Sequence, residues 1–332
     1  MFFSKIEPKH ILIGRNDALG DAILALPCCG IIKKHYPDVE ISFLGKTYTK
    51  AAIEMCGHVD HFINYDEIVS LDDKALQHFF AERRIDTVLL LRMQKELTLL
   101  IKRSGIPYRV GNFHFMRHLT ACNRFVSFGH KSGLNEAQLN LKMLEPIGIT
   151  EIPSRTELIP YYGIAKIPTL RQELKDKLST TKFNIILHPM TTGNGPAWPD
   201  HCYRELITAL DKNRYKIFLS GSPQDNRMIR RWHLAPEDAE NLAGTTSLED
   251  LIAFVYHSDG LLAGSTGPLH IAAAMGIHAL GLYPSFPEGK APDRWGPIGT
   301  LAETIVSTGA ALDTISVETV KQHIDKWDKV IR

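Results

Sequence analysis

The stretch "HILIGRNDALGDAI", His10 to Ile23, carries the fold in miniature: an apolar strand, then a polar turn with two aspartates and two glycines, then the start of a helix. An apolar run of this length ending in such a turn reads as a central strand of a parallel sheet handing over to its crossover helix. Connections at strand ends are where function tends to be carried, so Arg15, Asn16, Asp17, Gly20 and Asp21 draw attention first.

Outward from that stretch, apolar runs at 10–15, 40–46, 60–65 and 86–91 alternate with helical patterns near 20–35, 47–56, 72–83 and 94–103. This is the order of a doubly wound α/β domain. The pattern restarts after a proline-rich passage, 157–172, read as a linker that leads into a helix near 169–179. Strands follow at 183–189, 215–221, 259–264 and 278–283. Two Rossmann-like domains are expected, 1–160 and 161–315, facing across a cleft at the carboxyl ends of their strands. The segment 316–332 has Val317, Val320, Ile324, Trp327 and Val330 at helical spacing behind Ser316 as N-cap, and reads as a C-terminal helix docked by that face.

The chain has 332 residues, 44% of them hydrophobic and 23% charged, with a net charge of +1. That balance gives no global field for nucleic acid or membrane, so any electrostatic attraction must be local. Five cysteines, Cys28, Cys29, Cys56, Cys122 and Cys202, form no CxxC pair and read as reduced thiols of a cytoplasmic protein. The opening residues contain no apolar segment of signal-peptide type. The longest weakly polar run, Ala22 to Ile32, contains Pro27 and falls well short of the ~20 residues that span a bilayer.

Several motifs fail on inspection. "LGKT" at 44–47 ends like a phosphate-binding loop, but the first glycine of that motif would fall on Glu40. No GxGxxG opens a strand–helix junction, and "GSTG" at 264–267 has the wrong spacing for a nucleophile elbow. His114 and His118 stand four apart without an acid or cysteine nearby, which leaves no metal site.

"DGLLAGSTGPLHIAAAMG", 259–276, is a strand broken at Gly264 and a helix that starts within Ser265–Pro268. Proline suits the first helical turn, and the N–H groups around Thr266 and Gly267 with the helix dipole make an anion site. His270 lies one turn further on. A capped helix with a buried histidine would show the same letters. The loop with Thr191, Thr192 and Gly193 leaves a second parallel strand at its carboxyl end, and two such loops converging favour a nucleotide diphosphate.

From Leu97 to Asn135 no Asp or Glu occurs, while Lys102, Arg103, Arg109, Arg117, Arg124 and Lys131 are interleaved with Phe and Tyr. The pattern suits an anionic, partly apolar partner such as a phosphorylated glycolipid at a membrane surface. A solvated basic face and single-stranded nucleic acid are the alternatives, the latter without any RNA-binding motif. Lys102, Arg103 and Arg109 are the candidate acceptor contacts.

Together, "RNDALGDAILALP" (15–27), "TTGNGPAWP" (191–199) and "STGPLHIAAAMG" (265–276) resemble the ADP-heptose:lipopolysaccharide heptosyltransferases, glycosyltransferase family 9. The resemblance covers most of the chain and implies a GT-B architecture. It implies an ADP-heptose donor held mainly by the C-terminal domain, an anionic lipopolysaccharide-core acceptor held by the N-terminal domain, and inverting transfer with no metal and no cofactor. Work at the cytoplasmic face of the inner membrane, as a soluble or a peripheral protein and with no nucleic-acid partner, goes with it. The family's catalytic residue falls on Asp21, as general base. Its donor contacts fall on Thr191, Thr192, Ser265, Thr266, Gly267 and His270. Pro196-Ala197 stand where many members have a cation before Trp-Pro, which moves the diphosphate's counter-charge to Lys290 or Arg294. Ser265 stands where many have an acid, which leaves another ADP- or UDP-sugar open. A sugar-nucleotide epimerase or hydrolase and a binding protein without turnover are the other readings.

As a base, Asp21 would take the proton of the acceptor hydroxyl and stabilise positive charge on the sugar. At a helix N-terminus its ionised form is favoured, so it is expected to be deprotonated at pH 7 and only weakly basic. Asp17 is expected to cap or form an Asx turn, and Gly20 to let the backbone turn.

Overall fold

A computed structural model describes residues 5–92, 94–129, 133–191 and 195–329. The chain divides into two compact units, Met1–Lys166 and Ile167–Arg332. Each is built on one six-stranded sheet whose strand pairs are all parallel.

In the first unit the strands are β1 (His10–Gly14), β2 (Glu40–Gly45), β3 (His61–Asn64), β4 (Thr87–Leu90), β5 (Tyr108–Asn112) and β6 (Arg124–Val126). Their order is β3-β2-β1-β4-β5-β6. In the second they are β7 (Phe183–His188), β8 (Tyr215–Leu219), β9 (Glu240–Asn241), β10 (Gly260–Gly264), β11 (His278–Tyr283) and β12 (Ala302–Val306), in the order β12-β11-β10-β7-β8-β9. Counted from the first strand of each unit, both read 3-2-1-4-5-6, the Rossmann order. The direction in which successive strands are added reverses between β1 and β4, and again between β7 and β10. Those two switch points are where a ligand meets a sheet of this kind.

The eight apolar runs of the sequence are all strands, and four more strands join them. β5 and β6 lie inside the acid-free basic stretch, β9 has two residues, and β12 is an edge strand with one buried position in five. None has the continuous apolar run of a strand covered on both faces.

The helix expected at 20–35 is two helices, α1 (Leu19–Ile23) and α2 (Leu26–His35). Pro27 has no N–H for the Ile23 carbonyl, and its ring would collide there, so the break falls just before it. Gly20 accordingly lies within α1 rather than in a turn. The proline-rich passage is only in part a linker. Ile159–Tyr162 forms a 3-10 turn with Tyr162 buried, and Gly57 N–H donates to Gly163 O at 2.7 Å while Ala165 N–H donates to Met55 O at 3.0 Å. This segment lies on α2 so closely that a Cβ on Gly30 would stand 2.3 Å from Tyr161 O. Helix beyond it is confined to Gln172–Lys175.

Further along run α3 (Lys95–Arg103), α4 (Glu136–Leu141), α5 (Asp200–Ala209), α6 (Gly267–Ala274) and α7 (Val317–Ile324). Ser316 caps α7 by accepting from Thr319 N–H at 3.1 Å, and Val317, Val320, Ile324 and Trp327 are buried in the core of the second unit. Val330 is outside the described residues. The core of the first unit gathers Leu12, Leu44, Val88, Leu90, Leu97 and Ile101 around β1 and β4.

Candidate active site

At the switch point of the first unit, the turn after β1 places Arg15 entirely inside the protein. A guanidinium there requires partners, because desolvating an unpaired charge costs several kcal/mol. It has four: Nε donates to Asp17 Oδ1 at 3.0 Å, Nη2 to Asp21 Oδ1 at 2.5 Å, and Nη1 to both Glu136 Oε1 at 3.0 Å and Asn140 Oδ1 at 2.8 Å. The last two come from α4, and Asn140 ties back by donating to Leu24 O at 3.1 Å. Burial opposes the charge on Arg15, but Asp17, Asp21 and Glu136 hold it protonated.

Asp21 sits in the first turn of α1 with its side chain 16% exposed. Its pKa is raised to about 6, chiefly by burial; Arg15 and Arg92 pull it down, and Asp17 and Glu136 push it up. This corrects the expectation of a weakly basic carboxylate. Desolvation outweighs the dipole of a five-residue helix, and one guanidinium shared by three carboxylates cannot neutralise each of them. Asp17 makes no cap either. The N-cap of α1 is Ala18, and Asp17 serves Arg15, stands 3.6 Å from Arg92 Nε after β4, and accepts the Tyr48 hydroxyl on its backbone oxygen at 2.5 Å. The Asp17–Arg92 contact is the point where the loops after β1 and β4 meet.

The second switch point is built alike. β7 ends at His188, whose Nδ1 lies 2.9 Å from Ser220 Oγ and whose pKa is lowered to about 4 by burial. Beyond it Thr191 donates to Gly195 O at 2.9 Å, closing its own loop, and its Cγ2 would stand 3.3 Å from a Cβ on Gly264 at the end of β10. A side chain at Gly264 would be tight against Thr191, which would have to give by a few tenths of an ångström. Thr192, with Gly193, lies outside the described residues. Trp198 anchors the far end of the loop, buried and donating to Ile315 O at 2.9 Å.

After β10, Ser265 leads to Thr266 in the N-cap position of α6, with Gly267 and Pro268 opening the helix. Thr266 makes no capping bond, and its buried Oγ1 has no hydrogen-bond partner among the described residues. The buried Nδ1 of His270, one turn on, has none either. A capped helix with a satisfied core histidine would leave neither atom unpaired, because buried polar groups are nearly always bonded. Burial lowers the His270 pKa to about 4, so the ring is neutral at pH 7. The structure thus brings Thr191, Ser265, Thr266, Gly267 and His270 to one switch point.

The basic side chains divide differently. Arg103 donates to Asp73 at 2.5 Å and Leu71 O at 2.6 Å, and Arg109 to Ala121 O at 2.7 Å and Ile106 O at 2.6 Å. Both hold the fold of the first unit. Arg103 and the exposed Lys102 end α3, and Arg109 opens β5, so all three lie toward the amino ends of the strands, whereas Asp21 follows a carboxyl end. Arg294 lies over the Trp295 ring at 4.7 Å, and Lys290 is exposed at the end of a 3-10 turn. His118 accepts from Asn112 N–H at 2.9 Å, a bond internal to the unit. Among the described residues, no group of three or more His, Cys, Asp or Glu is placed to hold a metal, and no helix is long and apolar enough to cross a membrane.

Comparison with known proteins bears on what these sites serve. The model of glycosyltransferase family 9 (heptosyltransferase) matches residues 74–324, well over half of the chain. A Haemophilus influenzae protein described as a glycosyltransferase is 26% identical over 310 residues, 90% of this chain and 88% of that one. Lipopolysaccharide heptosyltransferase 3 of Escherichia coli is 21% identical over 277 residues, 80% of each. In fold, the chain is similar to the solved ADP-heptose lipopolysaccharide heptosyltransferase II of Escherichia coli, with a TM-score of 0.76 at 20% identity over 96% of this chain and 97% of that one. Two Rossmann-like domains of the GT-B type are common to both. The chain is a glycosyltransferase and belongs to family 9, the heptosyltransferase family.

Proposed function

We propose that the protein transfers a heptose from ADP-heptose to a sugar hydroxyl of the lipopolysaccharide core, with inversion and without a metal, Asp21 acting as general base. The observation that carries the reading is Asp21 itself: a part-exposed carboxylate at a switch point, clamped by a buried arginine, with a pKa near 6. Such a group is mostly ionised at pH 7 yet basic enough to take a hydroxyl proton as the hydroxyl attacks the anomeric carbon. Asp21 precedes the residues matched by the family model, so its role rests on this geometry.

The donor is assigned to the second unit. The N–H groups in the first turn of α6 and its dipole suit a diphosphate, and Thr266 Oγ1 and His270 Nδ1 supply unpaired polar atoms beside them. A neutral imidazole can donate one hydrogen bond to a phosphate or sugar oxygen without adding charge. The acceptor is assigned to the first unit, at the cytoplasmic face of the membrane. The lipopolysaccharide heptosyltransferases among the relatives support a heptose donor and a lipopolysaccharide acceptor.

Asp21→Ala is expected to lower turnover by at least about 10²-fold, the contribution of a positioned base, while ADP affinity stays unchanged. Loss of both together would remove Asp21 from the role of base. Donor consumed in the absence of acceptor would replace transfer by epimerisation or hydrolysis, and a rate insensitive to EDTA is expected throughout.

A further inference from the structure

The turn that follows β5 is inside out. Asn112 and His118, both polar, have no exposed surface, while Phe113 is 57% exposed, Met116 75% and Leu119 39%. Three of the nine large apolar side chains exposed among the described residues fall within these seven positions.

The buried polar groups hold the turn in shape. Asn112 Oδ1 accepts from His114 N–H at 3.0 Å, its Nδ2 donates to Phe128 O at 2.9 Å, and its backbone N–H donates to His118 Nδ1. His118 Nε2 in turn lies 3.2 Å from Arg92 O, which fastens the turn to the loop after β4. A surface turn folded for water alone would reverse this arrangement, since each exposed apolar side chain forgoes burial. His114 and Arg117 stand exposed between the apolar ones, and no acid occurs in the chain from Leu97 to Asn135.

We propose that the Phe113–Leu119 turn docks this protein on an anionic lipid bilayer, with Phe113, Met116 and Leu119 entering the interface and Arg117 and His114 at the lipid phosphates. Apolar side chains around a cation, here Arg117, are the chemistry such a surface binds, through burial and attraction to phosphate together. A nucleic acid would use Arg117 and the phenylalanine ring but has no place for exposed Met and Leu. The turn follows a carboxyl end of the same sheet as Asp21 and shares the Arg92 loop with it, so docking would bring the proposed base toward a lipid-borne acceptor. The inference deepens the proposed function by naming its surface, but it needs neither the donor nor Asp21.

The test uses the full chain and sedimentation with vesicles of phosphatidylethanolamine containing about 30% phosphatidylglycerol, against phosphatidylcholine alone. Binding to the anionic vesicles only is expected, weakened about tenfold by Arg117→Glu and abolished by the triple substitution Phe113→Ser, Met116→Ser, Leu119→Ser. Unchanged far-ultraviolet circular dichroism and an unchanged midpoint in urea for the first unit, which contains the turn, show that these variants fold. In a second measurement, Met116→Trp fluorescence is quenched by brominated acyl chains. Failure of the unaltered protein to bind anionic vesicles, or binding by the triple variant equal to it, overturns the proposal. So does a triple variant that changes only the oligomeric state, which would make the turn a protein interface. Vesicle binding lost with turnover on soluble acceptor intact leaves the transferase reading standing, and the reverse leaves docking standing.

Discussion

At Asp21 two influences of opposite sign meet, and their balance makes the residue useful. Ionisation is the active state of a base, so the rate is expected to fall about tenfold per pH unit below pH 6 and to level off above it. Arg92 lowers the pKa of Asp21, so Arg92→Ala should move the acidic limb of the pH–rate profile to higher pH. The same balance costs stability. The pKa is about 6 in the folded protein against 3.8 unperturbed, so the stabilisation from a protonated Asp21 is complete below about pH 4 and lost as pH rises through 6. At neutral pH the ionised group costs on the order of 3 kcal/mol. Asp21→Asn should therefore raise the melting temperature at pH 7.5 while removing turnover, and a lower melting temperature would contradict the burial argument. The position of Asp21 was legible from the sequence, because a strand, a Gly-Asp pair and a helix are local. Its basicity was not: Glu136 and Asn140, which share Arg15 with it, lie more than 100 residues away.

Among the elements, the eight strands with apolar runs were legible, the edge strand β3 among them, and the four without one, β5, β6, β9 and β12, were not. β5 and β6 contain arginine, asparagine and glycine because each is only partly covered, so burial left too weak a pattern. The passage 157–172 does contain the boundary between the units, but its first half packs on the first unit for a reason that no local pattern shows. Prolines suggested a connection, but the glycine that receives it, Gly30, is far off in sequence. Gly30→Ala is expected to destabilise the first unit by about 1–3 kcal/mol by forcing the Tyr161 backbone off α2, measurable as a lower midpoint in urea. In the second unit the strand–loop–helix junction at Thr266 was legible from Gly-Pro and the preceding strand. What the letters could not tell is that Thr266 leaves its cap unmade. That unmade cap is the observation that supports the proposed donor contact.

For the molecule as a whole, the same strand order occurs twice, each time around its own core. Composition and the restart of the pattern announced this, since a chain of this length exceeds what one core supports. Residues 167–332 expressed by themselves are expected to fold cooperatively and to keep ADP affinity within a fewfold, checked by calorimetry; a second unit that folds but ignores ADP would move the donor site. A last consequence follows from how the sheets end. β3, β6 and β9 have four, three and two residues. A strand so short presents too few unpaired backbone groups to template another chain, and β12, the longest of the outer four, places Glu303 in its run. The protein thus carries wide, fully parallel sheets without offering a neighbour a place to extend them, which protects it from amyloid-like association at the concentrations a crowded cell imposes.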